Sequence, residues 1–149
     1  MDISIIPPRY APYLHTILRI VTGLLFMEHG TGKLLNFPPI HDQMLNMMGS
    51  GMLYFTGTFE LVGGALIAIG LITRPVAFVL SGFMAAGYFL AHFPKSFFPA
   101  INGGDAAVLF SFVFLYISTV GAGPVSVDAA LGAGSTDGSR SWTGGLRTQ

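Results

Sequence analysis

Cysteine is absent from this 149-residue chain. With it go thiol–disulfide chemistry, iron–sulfur clusters and thiolate metal sites. Charge is scarce as well: Asp, Glu, Lys and Arg make up 9% of residues, against about 25% in an ordinary soluble domain. Seven acids balance seven Lys and Arg, so no basic surface recommends nucleic acid as a partner. No flavin or haem motif stands in the sequence. The start, Met1-Asp-Ile-Ser-Ile-Ile-Pro-Pro-Arg9, lacks the basic region and small-residue cleavage site of a secretory leader. The first apolar segment is therefore expected to persist as a membrane span.

What remains is apolar. Hydrophobic residues make up 52% of the chain and mean hydropathy is +0.65. Four segments approach the roughly 20 residues needed to cross hydrocarbon: Tyr13–Gly32, Leu53–Ile72, Val76–Phe93 and Ala106–Ala122. Pro38-Pro39 and Gly49-Ser50-Gly51 bracket the first loop, Thr73-Arg74-Pro75 makes a tight second turn, and Pro94 to Gly104 forms the third. Asp105 directly precedes the fourth run and is placed to cap it. Gly57, Gly63, Gly64 and Ala68 on the second segment suit close helix approach. The expected fold is all-α, an integral membrane four-helix transmembrane bundle over residues 1–128. A small, polar, disordered tail is expected over 129–149.

Basic residues set the expected orientation. With the N-terminus inside, Arg9, Arg74, Arg140 and Arg147 are cytoplasmic, while Lys33 and Lys95 lie outside. Both termini are then cytoplasmic in a multi-pass protein of a bacterial inner membrane.

The acids within the apolar runs are the main functional signal. Glu28 falls in Leu24-Leu-Phe-Met-Glu28-His29-Gly30, and Glu60 in Phe59-Glu60-Leu-Val-Gly63-Gly64. A carboxylate at membrane depth costs about 2.5–3.5 kcal/mol even on the mildest scale, so it needs a partner, a proton or a wet cavity. In the topology above, Glu28, His29, Glu60, Tyr88, His92, Asn102 and Asp105 come to the outer half of the membrane. We expect Glu28, Glu60, His92 and Asp105 to face one another in the bundle interior, with Tyr88 and His29 nearby. Glu28, Glu60 and His92 are the candidate catalytic groups, and His29, Tyr88, Asn102 and Asp105 candidate ligand contacts. Tyr88 and His92 share a face at i,i+4. Deeper, Arg19 and Tyr116 are expected at one depth, within reach of a hydrogen bond, and they complete the candidate ligand contacts. The glycines beside Glu60 are expected to leave open space for a ligand.

Bland readings stand beside these. The polar groups also suit interhelical hydrogen bonds that fix register without a substrate. His29, His41 and His92 with the acids suggest a metal, but no helix carries a His-x-x-x-His or Glu-x-x-His pair, so no metal is assigned. Ile40, Met44, Met47 and Met48 read as an interfacial helix before a copper site.

Taken in order, five segments resemble the DoxX family of small four-helix bacterial membrane proteins. They are Arg19-Ile-Val-Thr-Gly23 through Glu28-His29-Gly30-Thr-Gly32-Lys33-Leu; Glu60-Leu-Val-Gly63-Gly64; Gly70-Leu-Ile-Thr73-Arg74-Pro75; Ala85-Ala-Gly-Tyr88-Phe-Leu-Ala-His92; and Phe97-Phe-Pro99-Ala-Ile-Asn102-Gly103-Gly104-Asp105. The resemblance runs from about Leu14 to Asp128. Asp105 stands where the family pattern often has Glu. The resemblance implies a bacterial inner-membrane protein related to subunits of a thiosulfate:quinone oxidoreductase, some relatives resembling anchors for redox partners. Three functions follow. One is a redox-associated subunit that binds a quinone or small polar ligand and relies on a redox partner protein. Another is a small-solute or proton-coupled transporter, which with four helices needs a homodimer. The third is a structural anchor whose partners are membrane lipid and the protein it holds.

Overall fold

The computed structural model describes residues 5–39 and 49–132. His41 and the Ile40, Met44, Met47, Met48 stripe lie outside the described residues, as does the tail from residue 133. Among the described residues the chain is all-helical, with no strand. Helix α1 spans Ala11–Leu35, α2 Ser50–Ile69 and α3 Thr73–Gly87. A single turn, α4, spans Pro99–Asn102; α5 follows over Asp105–Val120 and a short α6 over Val127–Ala130.

The ends obey local chemistry. Pro12 lies in the first turn of α1, where a missing N–H costs nothing. Asn36 closes α1 in the left-handed region, with φ 51°. Helix α2 ends at Gly70, φ 72°, where Gly70 N–H donates to Ile67 O and Leu71 N–H to Leu66 O. That is a Schellman stop, which favours glycine. Helix α3 begins with no cap of its own. Asp128, far along the chain, supplies one: its carboxylate accepts from Ile72 N at 2.7 Å and Thr73 N at 2.9 Å. The expected boundary at 128/129 thus falls inside α6, whose first turn locks the start of α3. The fourth run starts at Asp105 as read from sequence, but Gly104 is its N-cap and Asp105 makes no capping bond. As the first helical residue it still suits the positive end of the helix dipole.

Helices α1 and α2 form one hairpin-like pair, and α3 packs most extensively on α5. The first pair is held at backbone contact. A Cβ at Gly23 would lie 2.5 Å from Ala68 N, and one at Gly64 would lie 2.6 Å from Met27 N. Gly30 faces Gly57 and Leu61 in the same way, one heptad further along α1 and one heptad back along the antiparallel α2. Only hydrogen fits at these crossings. The pairs meet over a core of Phe26, Ile67, Leu80, Phe114 and Ile117. Phe26 sets its ring edge-on to Phe114 with centroids 5.0 Å apart.

By length and composition, two segments are fit to cross a membrane: Ser50–Ile69 and Thr73–Lys95. Helix α5 is apolar but shorter, at 16 residues. Helix α1 has the length, 25 residues, but Arg19, Glu28 and Lys33 lower its hydropathy.

Candidate functional site

Glu60 projects from the middle of α2 toward α1, on the side that carries Gly57 and Gly64. It does not meet Glu28. Lys33, one turn past Gly30 on α1, donates from Nζ to Glu60 Oε1 at 2.5 Å. The pair is enclosed, with side chains 11% and 8% exposed. The second carboxylate oxygen, Oε2, is buried and has no hydrogen-bond partner. His29 is exposed on α1, its ring edge-on against Phe110 of α5 at 5.9 Å.

Lys33 is the residue that sequence reasoning missed as a site member, having been counted only as a loop charge. A signal for it existed. Arg19, Phe26, Gly30 and Lys33 repeat at seven, four and three residues, so Lys33 continues the buried face of α1.

Two of the expected acids are elsewhere. Glu28 is exposed on α1 and Asp105 is exposed at the start of α5. The reason for Glu28 is angular. At 3.6 residues per turn, two residues subtend about 200°, so with Gly30 against α2 Glu28 points away from the bundle. The open space expected beside Glu60 is also absent: α1 fills the faces of Gly57 and Gly64, and Leu80 fills that of Gly63.

A second polar group forms where α3 loosens. After Gly87 the helix continues as a π-helical turn over Tyr88–His92, then a 3-10 turn over Phe93–Lys95. Such turns recur at functional sites. The wider turn stacks the Tyr88 and His92 rings, with an interplanar angle of 14° and centroids 6.3 Å apart. Asn102 organises the loop beneath them. Its Nδ2 donates to Ser96 O at 2.8 Å and to the Tyr88 hydroxyl at 3.4 Å, and its Oδ1 accepts from Gly104 N at 2.7 Å. His92 Nδ1 lies 3.1 Å from Asn102 O. The structure therefore gathers Tyr88, His92 and Asn102 into one group and pairs Glu60 with Lys33 in another, with His29 outside both. Among the described residues no hydrogen bond joins the two groups.

The Arg19–Tyr116 bond is not formed. Arg19 is fully buried, and its guanidinium donates to four backbone carbonyls. Nε reaches Ala122 O at 2.7 Å, Nη2 reaches Val125 O at 2.7 Å, and Nη1 serves Ala68 O at 2.7 Å as well as Ile67 O. Free carbonyls at the C-terminal end of α2 attract a cation more strongly than a phenol does. Tyr116 instead sits on the surface, its ring edge-on to His15 at 5.5 Å. His15, buried, contacts Gly121 O through Nε2 at 2.7 Å.

Between α2 and α3 runs a groove of about 510 Å³, lined by residues including Phe59, Val62, Leu66, Val76 and Val79. It faces away from Glu60 and suits hydrocarbon. Among the described residues no three His, Asp or Glu side chains gather as a metal site.

Membrane-length apolar helices, interior polar groups and backbone-close glycine crossings together point to a helical membrane protein. The DoxX family model matches residues 14–93, and the chain belongs to the DoxX family. It is 42% identical over 123 residues to an uncharacterized protein of Haemophilus influenzae, covering 80% of this chain and 92% of that relative. No solved structure matches it.

Proposed function

We propose that this chain is a four-span protein of a bacterial inner membrane, with both termini cytoplasmic. In this reading a small quinol-like molecule reaches Glu60 and Lys33 by parting α1 from α2, since the packed glycine faces leave no standing cavity beside them. The observation that carries the reading is Glu60 Oε2, a carboxylate oxygen buried without a hydrogen-bond donor. Leaving such an oxygen unpaired costs about 1–3 kcal/mol, and a ligand hydroxyl removes that cost. Lys33 fixes the other oxygen and balances the charge, so Oε2 is the free acceptor. A quinol has the matching chemistry, with hydroxyl donors on an otherwise apolar body. When it is oxidised its two protons leave for acceptors such as Glu60, and its two electrons pass to a partner protein. Tyr88, His92 and Asn102 are assigned to the wall of the site's outer mouth.

Titration of the detergent-purified protein with ubiquinol-1 tests this. Glu60→Gln keeps the hydrogen bond from Lys33 through its amide oxygen and replaces the free oxygen with an amide nitrogen, which donates and cannot accept. Charge-assisted hydrogen bonds contribute about 1.5–3 kcal/mol, so affinity should fall roughly 10- to 150-fold while the helical melt persists. Equal binding by the variant overturns the reading, and the Lys33–Glu60 pair is then an interhelical staple.

A further inference from the structure

The outward face of α1 carries Leu14, Leu18, Val21 and Leu25, all exposed, and then Glu28. Their spacing is four, three, four, three. That is the seam of a left-handed helix pair, in which such positions meet a second helix. The opposite face, with Arg19, Gly23, Phe26 and Gly30, is already used against α2 and the core. Among the described residues the seam has no partner.

Glu28 decides what covers it. This step rests on the reading that α1 spans the membrane. Glu28 lies five residues beyond Gly23, the midpoint of α1, about 7.5 Å from the middle at 1.5 Å per residue. Half the hydrocarbon is about 15 Å thick, so Glu28 is well inside it. A glutamate side chain is too short to snorkel that distance, and a lipid tail offers no hydrogen bond. A membrane also fixes orientation: two copies of one chain lie parallel and bring equal residues to equal depth. A carboxyl group that holds a proton both donates and accepts. Two such groups at one depth satisfy each other across a two-fold axis, which an apolar partner cannot do. We infer that α1 pairs with α1 of a second copy along this seam, with Glu28 hydrogen-bonded to the second copy's Glu28.

The absence of cysteine makes the test direct. Single variants Leu18→Cys, Val21→Cys and Leu25→Cys are oxidised in native membranes beside Phe78→Cys and Phe112→Cys, exposed on α3 and α5. Cross-linked dimer should form at the three α1 positions and not at the other two. Adding Glu28→Leu to Leu25→Cys should weaken pairing about 3- to 30-fold, the range of interhelical hydrogen bonds in membranes. Glu28→Gln, which can donate and accept, should retain it. Absent α1 cross-links, or equal ones on α3 and α5, overturn the seam, and undiminished pairing with Glu28→Leu overturns the carboxyl contact. Impermeant maleimide labelling of Ile5→Cys and Phe37→Cys separates the underlying reading. Labelling from the same side overturns the span and the pairing together, whereas opposite sides without a cross-link overturn the pairing alone.

Discussion

Arg19→Met should destabilise the fold measurably. Methionine fills much of the volume but has no donor. Four carbonyls, those of Ile67, Ala68, Ala122 and Val125, lose their shared cation. Ala122 O, in a buried bond, is left without a donor; Ile67 O keeps the Gly70 N–H, and the Ala68 and Val125 carbonyls lie in part-buried bonds that water can replace. A buried acceptor left unsatisfied costs about 1–3 kcal/mol. The Ala122 loss, with partial losses at the other three carbonyls, comes to at least about 2 kcal/mol. For a chain of this length each kcal/mol moves the melting temperature by about 2–4 °C. The variant should therefore melt at least about 4 °C below the wild type. Circular dichroism at 222 nm in a mild detergent reads this directly. Arg19→Lys should recover only part of the loss, since an ammonium has three donors on a point charge and lacks the planar fork. A melt of Arg19→Met within 2 °C of wild type would refute the staple.

Gly23→Ala and Gly64→Ala should both destabilise the fold in the same melt, because each added Cβ meets backbone of the facing helix. Gly82→Ala, with nothing within 4 Å of its Cβ, should raise stability by about 0.5–1 kcal/mol, and opposite signs at these positions check the crossing. Lys33→Met leaves Glu60 buried without a cation and should cost about 3–5 kcal/mol, much of it recovered in the Lys33→Met, Glu60→Leu double variant. A double variant that melts no higher than Lys33→Met alone would contradict the pairing. Burial pushes the Asp128 carboxyl up, but the Thr73 and Ile72 hydrogen bonds and the charge of Arg19 outweigh it and hold the group below the usual carboxylate range. The stabilisation it gives is therefore complete above the ordinary carboxylate pKa and is lost as pH falls through the lowered value. Asp128→Asn should flatten that acid-side slope in a pH series of melts.

The positions of the long helices were legible because apolar runs and turn residues mark them without tertiary help. The start at Asp105 fell within a residue of where the turn chemistry placed it. The turn expected at Thr73-Arg74-Pro75 lies earlier, at Gly70 to Ile72, and Thr73, Arg74 and Pro75 instead open α3. The interior placement of Glu60 was legible too, since its neighbours on α2 are small. What the sequence concealed was partnership. Glu28 and Glu60 look alike in one dimension, and only the angle of each helix against its neighbour turns one inward and the other outward. Lys33 looked like a loop charge because α1 runs further than its apolar stretch, to Leu35. The glycines near Glu60 were read as space, yet small residues permit both a cavity and a close approach, and α1 takes the latter. Arg19 looked like a side-chain donor to Tyr116, but the unsatisfied carbonyls at a helix end are invisible in a one-letter string. Asp128 caps α3 from 55 residues away, beyond any local pattern.

The most direct test of the ligand site is mass spectrometry of the organic extract from protein purified in mild detergent, wild type beside Glu60→Gln, at matched amounts and with both melts recorded. The account predicts a quinone or quinol retained with the wild type and lost from a folded Glu60→Gln protein. Equal amounts in both extracts, or no such molecule with the wild type, would contradict it.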